Sequence, residues 1–273
     1  MKFDKFTVLG TSVSGVATTL TVPEFNLNLD LGVTTDDSLR EPTVLLTHGH
    51  LDHVHGVIRH SYLRDLMGNA QKARYICAPH LVPLLHDLFR LWSRFQHSKM
   101  PEYEVVPVEP GGEVQVGQRL FARPFKTHHR VPCQGYLLVE VRDKLRAEYQ
   151  GMDGKAVRDL RLKGVQVTEK VDFPVMAYTG DTTVRLFDQG GPFMNVPVLL
   201  TECTFMGDEQ DPSFAFDRGH VHLDDLAKRA HLFENVGTVV LVHFSQRYTN
   251  AFVEEQIARL PDGFREKVRF LRV

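Results

Sequence analysis

Short runs of β-branched and aromatic residues, broken by turn formers, dominate the first fifty positions: "FTVLG", "ATTLTV", "FNLNLDLG" and "TVLLT". Such runs predict consecutive strands. The period then lengthens. Apolar spacing predicts a helix from Asp52 to about Leu66, a strand at "RYICA", and a long amphipathic helix from about His80 to Gln96. Pro83 falls in the first turn of that helix, where no hydrogen-bonded amide is needed. A second strand block follows at "YEVVPV", "EVQVG", "RLFARPF" and "GYLLVEV". Between Asp143 and Lys170 the pattern lapses into polar residues, three glycines and no apolar stripe. That lapse predicts a flexible inserted arm, 143–170. Strand signals resume at "VMAYTGD" and "VPVLLTECT", then come the helix "HLDDLAKRAHLF", the strand "TVVLVHF", the helix "NAFVEEQIARL" and a last strand "VRFLRV". Two strand-rich blocks, each trailed by helices, predict an α/β architecture of two face-to-face sheets with helices outside. The expectation is a single domain over 1–273 carrying one arm.

Composition narrows the class without naming it. At 42% hydrophobic and 24% charged residues, the chain is neither a disordered nor a collagen-like sequence. A net charge of −2 means that any nucleic-acid contact must use a local patch. The richest such patch runs from Arg59 to Lys99, with seven Lys/Arg against two acids. Cys77, Cys133 and Cys203 are odd in number and far apart, which argues against disulfides and for a reducing compartment. No apolar leader or membrane-length run is present, so a cytoplasmic protein without membrane contact is expected.

The chemistry concentrates in "LLTHGHLDHVHG". His48, His50, Asp52 and His53 form HxHxDH where a strand leaves its sheet. Neutral imidazoles and a carboxylate suit zinc. In an extended loop His48 and His50 point the same way and can grip one ion. Asp52 and His53, at the turn into the helix, can reach a second. His55 and His60 are expected as bystanders on the helix face. Four ligands are too few for two ions, so others must come from elsewhere.

The motifs "THGHLDHVHG", "FKTHHRVPCQGY", "AYTGDTT", "TECTF" and "VHFSQRY" resemble the metallo-β-lactamase superfamily, and within it the short form of tRNase Z, nearest its plant type. The resemblance implies a four-layer αββα sandwich and two Zn2+ per chain, with Mn2+ or Fe2+ as alternatives. It assigns His129 to the ion of His48 and His50, His243 to the ion of Asp52 and His53, and Asp181 to both. His128 becomes an accessory polar residue. Asp30 would support the histidine loop by hydrogen bonding. Asp52 would be the general base toward an ion-activated hydroxide. His220, paired with Glu202, would protonate the leaving 3′ oxygen of a precursor tRNA. The motif frame puts His222 at a helix-capping position, where a surface histidine of the first turn is expected, and Cys203 is expected as a small core residue.

The resemblance further implies a homodimer whose arm grips tRNA as an exosite, through Lys144, Arg146, Lys155, Arg158, Arg161 and Lys163. One departure stands out: "GTSVSGVATTLTVPE" lacks the P-x-K-x-R-N loop that many tRNase Z enzymes carry there. The competing expectations are another two-metal hydrolase acting on small phosphodiesters or esters, and a catalytically silent binding module.

Overall fold

In the computed structural model, which describes residues 1–69 and 71–271, the apolar runs assemble into two seven-stranded sheets. The first contains β1 (Leu9–Ser14), β2 (Ala17–Val22), β3 (Leu27–Leu29), β4 (Thr43–Leu45), β5 (Ala73–Cys77), β6 (Tyr103–Pro107) and β13 (Phe244–Ser245). The second contains β7 (Val114–Gln115), β8 (Leu120–Lys126), β9 (Gln134–Leu145), β10 (Thr168–Tyr178), β11 (Val198–Glu202), β12 (Thr238–Val242) and β14 (Val268–Phe270). Their orders are β13-β1-β2-β3-β4-β5-β6 and β14-β12-β11-β10-β9-β8-β7. The second sheet is antiparallel on one side and parallel on the other, whereas in the first the antiparallel β1–β2–β3 pairings are flanked by parallel pairs on both sides.

Alternation along the strands explains the layers. Side chains on a strand point to opposite faces in turn, and here both faces are apolar. Leu45, Ile76, Tyr136, Leu138, Met176, Leu200 and Val240 meet in the core between the sheets. Their neighbours Val44, Leu46, Tyr75 and Cys77 face outward from the first sheet, and Leu137, Val139, Ala177, Leu199 and Val239 from the second. Strands buried on both faces need helices outside.

The first helical layer departs from expectation at its start. α1 (Asp36–Arg40) is too short to leave a period in the sequence. The helix expected from Asp52 to Leu66 is two, α2 (Leu51–Val54) and α3 (Val57–Leu66). The chain after β3 interrupts it: Leu31 N–H donates to His53 O, and Gly56 N–H donates to Leu31 O at 2.8 Å. A Cβ on Gly56 would lie 2.8 Å from Leu31 O, so only glycine allows the approach. α3 and α4 (Leu81–Gln96) then cover the first sheet through Val57, Ile58, Leu81, Leu85 and Phe89.

The segment 143–170 holds regular secondary structure. β9 and β10 run into it as an antiparallel ribbon, with Leu145 opposite Thr168. α5 (Gly154–Leu162) follows, its first turn capped by the Asp153 side chain accepting from Lys155 N–H. The missing apolar stripe is a small local one. Val167 is buried, and Ala156, Val157 and Leu160 are half-buried. A ribbon solvated on both faces needs only backbone pairing, and so leaves no apolar period in the sequence.

On the second sheet, α6 (Arg185–Gln189), α8 (Leu223–Lys228), α9 (Asn250–Ala258) and α10 (Asp262–Arg265) supply the outer layer, with α7 (Pro212–Asp217) preceding α8. The helix expected over "HLDDLAKRAHLF" breaks after Lys228 and resumes as a 3-10 turn, Ala230–Phe233. The expected last strand ends at Phe270, and its final two residues lie outside the described ones. Among the described residues, no helix is long and apolar enough to cross a membrane, and all three cysteines are free.

Candidate metal centre

The expected ligands converge at the carboxyl ends of β3, β4, β10, β11 and β12, the usual ligand side of parallel strands. The loop after β4 brings His48, His50, Asp52 and His53. Asp181 follows β10. His129 lies between β8 and β9. His243 sits where the chain leaves β12 in one sheet for β13 in the other, with φ 61°. Ligand atoms form three groups: His48, His50, His129 and Asp181; Asp52, His53 and His243; and Asp181, His220 and His243.

The hydrogen bonds behind the rings decide where the lone pairs point. His48 Nδ1–H donates to Thr47 Oγ1 (3.0 Å), because that hydroxyl donates to Asp30. His53 Nδ1–H donates to Asp30 Oδ2 (2.8 Å), and His129 Nδ1–H to Gly219 O (2.8 Å). His243 Nδ1–H donates to Thr204 Oγ1 (2.9 Å), whose own proton goes to Glu202 Oε2 (2.6 Å). Each of these rings therefore turns a lone pair inward at Nε2. His53 Nε2 and His243 Nε2 face each other at 3.2 Å; His48 Nε2 and His129 Nε2 face His50 Nδ1 at 3.0 and 3.2 Å. Lone pairs so placed repel unless a cation lies among them.

Asp181 completes the argument. Its Oδ1 lies 3.5 Å from both His53 Nε2 and His243 Nε2, and its Oδ2 lies 3.8 Å from both His48 Nε2 and His129 Nε2. One oxygen faces each cluster. Oδ1 is buried without a hydrogen-bond partner, which a buried carboxylate oxygen rarely tolerates. Donor set, lone-pair directions and orphaned oxygen all fit a pair of divalent ions.

Electrostatics agree. Burial opposes charge on Asp181, but His243, His53 and His48 outweigh it and hold the carboxyl well below its usual range. Burial likewise disfavours ionised Asp52, yet the His243 contact and His53 keep its pKa low. Burial would lower His53, but Asp181 and Asp30 raise it to about 9, so the anions around it call for a positive charge, which a proton supplies unless a metal ion does. His48 is pushed well down by burial and by its histidine neighbours, so it is neutral and fit to ligate.

Two features sit beside the clusters. Gly15 N–H, at the tip of the β1–β2 hairpin, donates to Asp52 Oδ2 at 2.7 Å. His220 Nδ1–H donates to Glu202 Oε1 at 2.9 Å, and lies 4.0 Å from Asp181 Oδ2. Burial would lower His220, but the Glu202 carboxylate overrides it and raises the pKa to about 9. Glu202 is itself fully buried, and accepts from Thr182, Thr204 and Val221 N–H as well.

Asp30 accepts from Thr47 N–H (2.8 Å), Thr47 Oγ1, His53 Nδ1 and Tyr178 OH (2.8 Å). Sequence reasoning missed Thr47, Thr204, Tyr178 and Gly219. Thr47 and Thr204 adjoin motif residues, which was the available signal. His128 bonds Gln189 outside the clusters, and Cys203 is buried in the core. Two histidines correct their expectations. His60 is buried, bonded to Tyr75 OH and Glu41 O, because α3 packs that face on β5. His222 does stand at the helix-capping position, its Nδ1 accepting from Asp224 N–H at the start of α8, but it is buried and not a surface residue.

The arm cations lie at the opposite end of the sheet. Lys144, Lys155, Arg158, Arg161 and Lys163 are exposed, and Arg146 pairs with Glu148. At about 3.3 Å per residue, the β9–β10 ribbon puts them about 30 Å from the clusters. The basic excess after the metal loop is largely spent: Arg64 is buried on Leu39 O, while Lys72, Arg74 and Arg90 pair with Glu102, Glu104 and Asp87.

Two sheets between helical layers, with a two-centre His/Asp cluster at their strand ends, define a metallo-β-lactamase fold. Residues 31–244 match the profile described as the Beta-lactamase superfamily domain, and the chain belongs to that superfamily. Within it the chain is a metal-dependent-hydrolase type related to tRNase Z. It is 27% identical over 270 residues to tRNase Z TRZ1 of Arabidopsis thaliana, across 98% of this chain and 95% of that protein. The human short-form tRNase Z (ELAC1) superposes with a TM-score of 0.60 at 18% identity, covering 98% and 96% of the two chains. Zn2+-bound PqqB from Methylobacterium extorquens does so with a TM-score of 0.60 at 13% identity, covering 98% and 97%. These last two likenesses concern the fold alone.

Proposed function

We propose that this chain is a zinc-dependent endoribonuclease that removes 3′ trailers from precursor tRNA and leaves a 3′-hydroxyl on the tRNA. The Glu202–His220 pair carries the reading: a raised-pKa imidazole beside the carboxylate shared by two metal clusters, in a chain similar end to end to a tRNase Z. His48, His50 and His129 would hold one ion, Asp52, His53 and His243 the other, and Asp181 both. When bound, two such ions neutralise phosphodiester charge and acidify a water that can attack near neutral pH. Asp52, anionic and steadied by Gly15 N–H, would serve as the base that orients a water and takes its proton. His220 gives a proton to the departing 3′ oxygen, a poor leaving group as an alkoxide. Its Nδ1 is committed to Glu202, which leaves Nε2–H for the transfer.

The test is an end-labelled precursor tRNA with a 3′ trailer, given to the zinc-loaded protein. Cleavage after the discriminator base is expected. Intact RNA with hydrolysis of a chromogenic phosphodiester would instead favour the small-substrate reading. The short Gly15–Val16 turn, in place of a P-x-K-x-R-N loop, is the observation on that side.

His220→Ala should lower kcat on precursor tRNA a hundred- to ten-thousandfold, roughly the range for general acids. A p-nitrophenyl diester, whose leaving group needs no proton, should suffer less. The pH profile has a definite sign. A donor raised to about 9 is protonated below that pH and loses its proton above it, so kcat should fall on an alkaline limb near 9. Glu202→Gln removes the charge that raises it and should move the limb to lower pH. An unmoved limb would remove His220 from the donor role.

We also propose a homodimer, with the arm of one protomer serving the site of the other. An arm about 30 Å from its own clusters is poorly placed to serve them. The outer face of α4 supports the dimer: Leu84, Leu91, Trp92 and Phe95 form an exposed apolar strip, with Phe95 68% exposed. Strips of this kind mark association surfaces. Sedimentation should show a dimer that Trp92→Glu/Phe95→Glu converts to monomer. A wild-type monomer at working concentration would end the idea.

A further inference from the structure

We infer that the cavity beside His129 is a subsite for the phosphate backbone of a single-stranded nucleic-acid end, with Phe216 as its stacking platform. The inference rests on the nuclease reading, and extends it to Lys126, Arg130, Arg185 and Phe216, to which that reading gives no role. The cavity measures about 670 Å³ and shares His129 with the metal cluster, so whatever fills it reaches the reacting bond. Three cations from separate places line it: Lys126 at the end of β8, Arg130 just after His129, and Arg185 at the start of α6. All three are exposed, and none enters an ion pair among the described residues. Arg74, Arg123 and Arg229, by contrast, are each tied to carboxylates. Glu109 is the one acid on the lining. A concave, cationic wall concentrates anions.

Shape selects the kind of anion. The volume suits a ligand of roughly one or two nucleotides, and a double helix would not enter it. Phe216, 46% exposed on the same lining, offers an aromatic face. Only unpaired bases can stack on such a face. Backbone cations with one aromatic platform are the elements of single-strand binding. The cavity therefore takes one unpaired flank of the scissile bond.

The test measures binding of a labelled 12-nucleotide single-stranded RNA to the zinc-loaded protein by fluorescence anisotropy, from 50 to 200 mM salt. Variants are compared at equal metal content, so a lost fold is not read as a lost contact. Three single-strand phosphate contacts contribute about 2 to the slope of log affinity against log salt. Wild type should thus lose roughly 20-fold more affinity across that range than Lys126→Ala/Arg130→Ala/Arg185→Ala. Arg130→Lys should keep most of the slope. Phe216→Ala should weaken binding about tenfold with the slope unchanged. An unchanged slope in the triple variant overturns the proposal, as does a mononucleotide that competes as well as the 12-mer. RNA binding that depends on the three cations, without cleavage of precursor tRNA, would keep the subsite and reject the tRNA substrate.

Discussion

Asp181→Ala is expected to leave the protein with less than one zinc ion per chain, and to lower hydrolysis by about a thousandfold or more, as loss of several kcal/mol of metal assistance requires. Among the described residues, no other side chain faces both clusters with separate oxygens. Its removal strips an anion from among five inward-facing imidazoles, so the remaining lone pairs meet two dications with less charge to balance them. Elemental analysis after gel filtration, beside turnover of a chromogenic diester, reads both effects. A variant that keeps two ions and turns over within tenfold of wild type would place the metals elsewhere. Asp181→Glu should recover part of the metal but little of the activity, because a longer side chain cannot hold both oxygens where they now lie.

The second large effect falls on stability. Asp30 is fully buried and accepts from four donors: Thr47 N–H and Oγ1–H, His53 Nδ1–H and Tyr178 OH. Asp30→Ala leaves them all without an acceptor, and removing one partner of a buried charged network costs about 3–5 kcal/mol. Alanine must also take the left-handed backbone at φ 55°, which aspartate tolerates better. Metal affinity should fall roughly 10- to 100-fold as well, because His53 loses the carboxylate that fixes its tautomer. Urea unfolding of the metal-stripped protein isolates the first effect, and zinc competition with a chelator the second. A loss under about 1 kcal/mol would mean that water replaces the carboxylate.

What the sequence made legible follows from distance along the chain. His48, His50, Asp52 and His53 share one loop, so their spacing alone announced a metal site. His129, Asp181, His220 and His243 come from four remote segments, and only motif resemblance joined them. The parallel pairing of β1 with β13 links residues some 230 positions apart, which no local period encodes. The helix break at His55–Gly56 comes from hydrogen bonds to the remote chain after β3, which Gly56 permits but does not by itself announce. His60 and His222 looked like solvent residues, because a polar side chain at a helix start or on a short helix gives no sign of what will cover it. The arm's ribbon was hidden for the opposite reason: its residues stay polar on both faces, and its order comes from the backbone.

His243 lies at the crossover from one sheet to the other, near the end of the chain. That position sets a schedule for biosynthesis. At about 5–20 residues per second, roughly 10–40 s separate the making of His48 from that of His243. Through that interval the growing chain displays a histidine loop able to capture a cation before Asp181 and His243 exist to select among cations. Which ion the finished protein holds is therefore open to competition on the ribosome, and expression in manganese- or iron-rich medium should yield a different metal population from zinc added after folding.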